Sequence, residues 1–377
     1  MIFNKGLHTT TFLLVFLIIT QLKAQTSIED TDIQLAITID SAIYHGDGNT
    51  VDQHIDYDVF TQRVFKGLHQ SSFDWKEYAE VFRQQLRLGD LLIEQIGREG
   101  EYSFVKVIED ENGNKNLLYR MIEGDGMLDY NEMLIAKNHL GQWNVVDVYF
   151  YLGGVYFSDI IGTLIALENP DLIPNKSFRK SLLKVRDLYG YNQEGMFGNT
   201  IEQYDSLSNY FKKEKTARLA LIQAYAGQGG ITEFEEQKAL YLDDFPYDKS
   251  IRLLLMEVYG SLDNFEMAYA MNNKLSELIG GDEYLMLREA EIYLSWEKTS
   301  KAKKVLKKLL KSESFETDAR LLLMDTYYIE KNYKSLLTEL LKVSDMVGVT
   351  PEEILPKESY PLFYSSSYWE KWKKQQS

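Results

Sequence analysis

The sequence predicts a multidomain chain, in which an N-terminal α+β domain of helices and a four-stranded antiparallel sheet precedes an all-α array of helical hairpins. Helical periodicity followed by four strand-like runs occupies the first half of the chain, and a 34-residue period runs through the second half. All six prolines lie beyond residue 169, which places a boundary between the two parts.

The composition is that of a folded chain longer than one hydrophobic core usually organises. Of its 377 residues, 45% are apolar and 26% are charged. The formal net charge of -16 argues against nucleic acid or an anionic membrane as the main partner, because both would repel the protein. The sequence has no cysteine, which rules out disulfides, thiol catalysis and thiolate metal sites.

The first 24 residues have the pattern of a secretory signal peptide. Lys5 supplies the positive region, residues 11–20 form the apolar core and Ala24 is the small residue before cleavage. The apolar stretch is too short for a membrane span. We therefore expect a mature protein that begins at Gln25, has no transmembrane segment and is periplasmic or secreted; an uncleaved membrane anchor is the alternative.

The predicted α+β domain covers residues 25–169. Its helices are expected over residues 32–43, 51–68, 75–96 and 157–167, and its strands over 102–108, 117–122, 127–136 and 143–151. This order resembles the cone-shaped fold of the nuclear-transport-factor-like superfamily over roughly residues 30–168. The resemblance implies a hollow cone, which holds a small ligand in many members of that superfamily and an active site in some.

Residues 170–214 are predicted to form a linker, marked by Pro170 and Pro174, and a degenerate helical hairpin. The repeats follow over residues 215–348, where four tyrosines are spaced by 34 residues each time. They are Tyr225, Tyr259, Tyr293 and Tyr327. Because a helix pair of this kind buries its apolar face only against its neighbours, we expect these tyrosines to be packing residues. Residues 349–377 are expected to form capping helices.

The repeat resembles the tetratricopeptide family, whose unit has a tyrosine on its first helix and a small residue early in its second. Ala290, Tyr293 and Ala302 match this pattern. In that family the position two before the tyrosine faces a groove that binds peptides. The resemblance therefore implies a ladder of groove residues, which are Gln223, Glu257, Glu291 and Asp325. A basic or amino-rich protein segment would complement it, although polar residues also occupy any exposed helix face.

A second candidate site lies in the α+β domain. Tyr130 and Glu132 alternate on one predicted strand, and Asp147 and Tyr149 alternate on the next. If these faces line a hollow, the carboxylates could bind a polar ligand or act as acid and base. Solvated residues on a sheet face would show the same alternation.

The histidines lack metal-ligand spacing, and the common hydrolase and nucleotide-binding motifs are missing. We expect no metal and no cofactor. The sequence favours an exported, non-enzymatic adaptor that binds a protein or peptide in the helical-repeat groove. The alternative is an enzyme or small-ligand-binding protein that uses a pocket in the α+β domain.

Overall fold

A computed structural model describes residues 31–67, 75–97, 100–109, 113–124, 126–169, 175–312 and 314–376. The predicted signal peptide and most of the predicted linker lie outside these residues. The chain forms two compact units, the first ending at Tyr241 and the second beginning at Leu242. The predicted fold class is confirmed: helices and an antiparallel sheet precede a series of helical hairpins.

Among the described residues of the first unit, five helices precede the sheet. They are α1 (residues 31–44), α2 (Gly48–Gln53), α3 (Tyr57–Gly67), α4 (Trp75–Gln85) and α5 (Leu88–Ile96). The regions predicted as single helices over 51–68 and 75–96 each contain a break. α2 and α5 cross at two glycines, where a Cβ on Gly89 would lie 2.3 Å from the Gly48 carbonyl oxygen. The break after α4 lets α5 make this approach.

An antiparallel meander follows the helices. Its strands are β1 (Glu101–Glu109), β2 (Lys115–Ile122), β3 (Leu128–Lys137), β4 (Trp143–Phe150) and β5 (Val155–Tyr156), in that spatial order. The four predicted strands are present. The fifth has two residues, which is too short to produce a recognisable alternation in sequence.

One face of the sheet and the helices share a hydrophobic core. Tyr119 and Met133 of the sheet are fully buried in it, together with Ile39, Phe60 and Leu92 of the helices. The Tyr119 hydroxyl donates a hydrogen bond to the Ala36 carbonyl at 3.0 Å, which satisfies the polar end of this buried ring.

The first unit continues in further helices. They are α6 (Phe157–Glu168), α7 (Lys176–Gln193), α8 (Phe197–Asp205), a 3-10 turn (Phe211–Lys213) and α9 (Lys215–Gln228), followed by α10 (Ile231–Asp244), which contains the division between the units. Leu188, Phe211 and Ala217 pack in a common cluster that joins α7 to α9. Asn175 begins α7 by accepting the Ser177 N–H at 3.0 Å.

The second unit contains three consecutive helical hairpins. They consist of α11 (Lys249–Ser261) and α12 (Phe265–Ile279), α13 (Glu283–Ser295) and α14 (Thr299–Leu309), and α15 (Glu316–Ile329) and α16 (Tyr333–Val347). Tyr259 and Tyr293 are 2% and 5% exposed, as packing residues should be. Tyr225 and Tyr327 are half-buried.

The turns of the hairpins repeat a backbone conformation that the sequence alone did not reveal. Asp263, Glu297 and Lys331 are spaced by 34 residues and have φ values of 54°, 55° and 55°. Gly229, 34 residues before Asp263, has φ 81°. Each turn therefore places one residue in the left-handed region, and only the earliest of the four uses glycine to do so.

The chain ends in α17 (Pro351–Ile354), α18 (Pro361–Tyr364) and α19 (Ser367–Gln376). Phe363, Tyr364 and Trp369 pack with Leu336 and Leu340 of α16 in one apolar cluster. The aromatic residues near the C-terminus thus cover the last hairpin.

Candidate functional site

The ladder residues occupy matching positions on the first helices of their hairpins. Gln223 lies on α9 of the first unit, and Glu257, Glu291 and Asp325 lie on α11, α13 and α15 of the second. The side chains of Glu257 and Glu291 are 39% and 35% exposed, so both remain accessible to solvent.

Arg288 joins two ladder carboxylates of successive hairpins. Its Nη2 donates to the two Glu257 carboxylate oxygens at 2.9 and 3.0 Å, and its Nη1 donates to Glu291 Oε2 at 2.8 Å. Burial lowers the pKa of the Arg288 guanidinium, but the two carboxylates outweigh that effect and raise it. Arg288 therefore stays charged and cancels part of the negative charge of the ladder.

The other two ladder residues also have partners within their own units. The Tyr360 hydroxyl donates a hydrogen bond to Asp325 Oδ1, and burial raises the pKa of this carboxyl. Gln223 Oε1 accepts a hydrogen bond from the Asn192 amide at 3.2 Å. The segment that precedes α18 thus approaches the ladder at Asp325, whereas Glu257 and Glu291 contact a side chain of the array itself.

The second candidate site is a buried network on the sheet. The Tyr151 hydroxyl donates to Glu132 Oε1, and Asn116 donates to Glu132 Oε2 at 3.1 Å. The Tyr151 ring lies 5.8 Å from both the Tyr130 and Tyr149 rings. The structure therefore brings Tyr130, Glu132 and Tyr149 together around Tyr151, with Glu132 only 6% exposed.

Asp147 connects a strand to two helices. Its Oδ2 accepts from Arg63 Nε at 2.6 Å and from Ser158 Oγ at 2.7 Å, while Oδ1 accepts the N–H groups of Val148 and Ser158. Because the Ser158 N–H belongs to the first turn of α6, Asp147 caps that helix from β4. A ligand would have to displace one of these donors to use the carboxylate as a base.

Tyr156 of the short fifth strand lies against a neighbour of each carboxylate site. Its ring lies 4.9 Å from the Tyr149 ring and 5.1 Å from the Arg63 guanidinium carbon. Burial chiefly raises the pKa of Tyr156, and the charges of Glu132 and Asp147 add to that rise. Sequence alternation missed both residues. Tyr156 lies on a strand of two residues, which is too short to show the period, and Arg63 lies on the helix α3.

A cleft of about 350 Å³ opens elsewhere in the first unit, beside Asp52 and Arg87. Asp52 Oδ1 accepts the Gly89 N–H at 3.0 Å, and its Oδ2 lies 3.7 Å from Arg87 Nη1. Burial raises the pKa of Asp52. Among the described residues, no hydrogen-bond donor reaches the buried Asp52 Oδ2. Neither Glu132 nor Asp147 lines this cleft.

Within the described ranges, no group of three or more histidine or acidic side chains is arranged to hold a metal ion. Nor does the described part of the chain contain a helix that is both long and apolar enough to cross a bilayer.

The fold defines a helical-repeat protein with an N-terminal α+β part. No protein-family model matches the chain, and no curated protein matches it. Among solved structures, MamA MSR-1 C2 is 13% identical and aligns over 45% of this chain and 97% of its own, with a TM-score of 0.36. MamA AMB-1 P212121 is 15% identical over 47% of this chain and 97% of its own, with the same TM-score of 0.36. Similarity at this level supports no inference about function.

Proposed function

We propose that the protein is an exported, non-enzymatic adaptor that binds a protein or peptide along the ladder face of α11, α13 and α15. The observation that supports the proposal best is the ion pair of Arg288 with Glu257 and Glu291. Carboxylates of two successive hairpins already hold one guanidinium between them. The spacing of the ladder therefore suits cationic or amide donors.

The exposure of these side chains leaves acceptor capacity for a partner. A carboxylate offers about four lone-pair sites, and the bonds from Arg288 occupy one site on each of the three oxygen atoms that they reach. Two carboxylates and one guanidinium leave a net charge of about −1 at this point of the ladder. A basic or amino-rich segment would gain hydrogen bonds there, and the remaining negative charge would attract it.

The proposal is tested by capturing partners from an extract of the native cell envelope. The full mature chain and its Glu257→Gln/Glu291→Gln variant serve as baits, and captured proteins are identified by mass spectrometry. Amides are preferred to charge reversal, because a lysine at either position would place a second cation against the half-buried Arg288.

We expect the variant to lose at least about tenfold in capture, which corresponds to about 1.4 kcal/mol of binding free energy. Glu277→Gln/Glu358→Gln is the matched control, since both of these glutamates are exposed and lie outside the ladder. Equal capture by the wild type and the ladder variant would rule out the groove.

A further inference from the structure

The helix α14 and the residues that flank it are positively charged, although the chain as a whole is acidic. Residues 298–311 contain seven lysines and no acidic residue, whereas the whole protein has a formal net charge of -16. The lysines are Lys298, Lys301, Lys303, Lys304, Lys307, Lys308 and Lys311.

The lysines cover the solvent side of the helix. The apolar side chains of α14 are buried in the hairpin core, and they are Ala302, Val305, Leu306 and Leu309. At 100° per residue these four share one side of the helix, and the five lysines between residues 299 and 309 fill the opposite arc. We call the exposed members the lysine face, which consists of Lys301, Lys304, Lys307, Lys308 and Lys311.

The second unit balances these charges only where α14 meets its neighbours. Lys303 Nζ lies 2.6 Å from Glu330 at the end of α15. Glu289 belongs to α13. Burial raises the pKa of its carboxyl, and the charges of Lys308 and Lys301 partly counteract that rise. Within the described part of the chain, Lys304, Lys307 and Lys311 form neither an ion pair nor a hydrogen bond through their ammonium groups. Among the described residues, no carboxylate therefore pairs with the centre of the lysine face.

This arrangement carries a cost that folding alone does not explain. Like charges at i,i+3 and i,i+4 destabilise a helix by roughly 0.2–0.5 kcal/mol per pair. The helix dipole offsets this only in the last turn, which contains Lys307 and Lys308 but not Lys301 or Lys304. Lys304 and Lys307 lie about one turn apart, or roughly 5 Å along the axis, and Lys311 follows in the turn after the helix. Carboxylates one turn apart on an acidic helix, or at alternate positions of an extended segment, have a similar spacing.

We propose that the lysine face binds an acidic segment of a partner protein. A protein segment is favoured over a membrane, because every apolar residue of α14 is buried in its hairpin and none is left to insert. Acidic Glu297 is exposed just before α14, so a flat anionic surface would meet that repelling charge as well. A narrow segment along the helix would meet lysines alone. The lysine face is on a second helix of a hairpin, and its role is independent of the ladder on the first helices.

The proposal is tested with a fluorescent oligo-glutamate peptide and the full mature chain at about 0.15 M salt, where only close charges interact strongly. Lys304→Glu/Lys307→Glu/Lys311→Glu removes the centre of the face. Lys334→Glu/Lys357→Glu/Lys371→Glu is the matched control, because it changes the net charge equally at three exposed lysines elsewhere in the same unit. Circular dichroism establishes that both variants fold, and vesicles of anionic phospholipid form a second arm.

We expect peptide affinity to fall at least about tenfold in the first variant and to change by less than about twofold in the control. Three results would each overturn the proposal: no binding of the peptide at this salt concentration, equal weakening in both variants, or binding to the vesicles in preference to the peptide. Self-association lost only in the first variant would assign the face to a second copy of the chain instead. The ladder variant Glu257→Gln/Glu291→Gln should bind the peptide normally, which separates this test from that of the groove.

Discussion

At the scale of single residues, Arg288 determines the charge of the ladder. Its position five before Tyr293 corresponds to Leu254 and Leu322 in the neighbouring repeats, so the 34-residue pattern gives no signal for it. The ladder column itself followed from the resemblance to a repeat family. The position of the guanidinium between two residues of this column depends on how consecutive hairpins stack. The spacing of residues along the chain does not specify that stacking.

Replacing Arg288 by methionine should destabilise the second unit by about 1–2 kcal/mol. The change leaves Glu257 and Glu291 without their shared cation, and the value lies between those of exposed and buried ion pairs. Hydrogen exchange of peptides from α11 and α13 would measure it. Lys274→Met is the control, because its ion pair with Glu277 is exposed and its loss should change protection little. Equal effects of both changes would contradict the assigned role of Arg288.

Asp129 is a buried carboxyl that the sequence analysis overlooked. Burial raises its pKa to about 7, although the N–H groups of Leu152 and Tyr130 donate to it, each at 2.8 Å. Its position on β3 looks like any alternating polar residue. Only the residues that surround it in the fold remove it from water, so its titration could not be predicted from sequence.

The raised pKa of Asp129 predicts the direction in which the stability of the fold changes with pH. An unfolded aspartate has a pKa near 3.9, so between about pH 4 and 7 the folded state retains a proton that the unfolded state has lost. The stability contributed by Asp129 should therefore fall by about 1.4 kcal/mol per pH unit over that range and level off above it. Asp129→Asn should lack this slope while keeping the acceptor oxygen. Hydrogen exchange of β3 at pH 5, 6, 7 and 8 compares the two, and parallel pH profiles would refute the prediction.

At the scale of elements, periodicity located most helices and all four long strands, because each has enough residues to show its period. It failed at the break between α4 and α5 and at the two-residue β5. The break depends on the approach of Gly89 to Gly48, which lie 41 positions apart in the sequence. No pattern within the 75–96 window encodes that contact.

The crossing of α2 and α5 predicts a strong effect of one methyl group. Gly89→Ala would place a Cβ 2.3 Å from the Gly48 backbone oxygen, so the helices must separate, and we expect a loss of about 2 kcal/mol or more. Gly190→Ala, in the interior of α7 with open space around it, should instead stabilise the first unit by about 0.5–1 kcal/mol. Thermal unfolding of both variants measures the difference, and a neutral Gly89→Ala would disprove the close approach.

The hairpin turns predict a stabilising substitution. Lys331 has φ 55°, a conformation that costs an ordinary residue roughly 1 kcal/mol, so Lys331→Gly should raise the stability of the last hairpin by about 0.5–1 kcal/mol. Lys334→Gly, three residues later in the first turn of α16, should instead lower it, by at most about 1 kcal/mol. Exchange protection of α15 and α16 reports both effects. Destabilisation by Lys331→Gly would show that the turn is not strained.

At the scale of the whole molecule, the charge is unevenly distributed over an acidic chain. In the part of the chain that the structure describes, no carboxylate pairs with the centre of the lysine face, whereas the ladder residues Glu257 and Glu291 share Arg288. The net charge of the chain argues against nucleic acid and anionic membranes as main partners. It gives no indication of the positively charged surface of α14. The candidate carboxylates Glu132 and Asp147 each accept several hydrogen bonds from their own unit, and Asp147 also caps α6. The bonds of Asp147 fix the sheet to α3 and α6, whereas those of Glu132 come from β2 and from the residue after β4.

The central claim is that a partner binds along the ladder face of the hairpins, and site-specific photo-crosslinking tests it most directly. Ser295 is exposed and lies four residues after Glu291, on the same side of α13. A photoreactive residue at Ser295 should crosslink the full chain to one partner in native envelope extract, while the same residue at exposed Lys334 of α16 should not. Crosslinking from Lys334 but not from Ser295 would contradict the account.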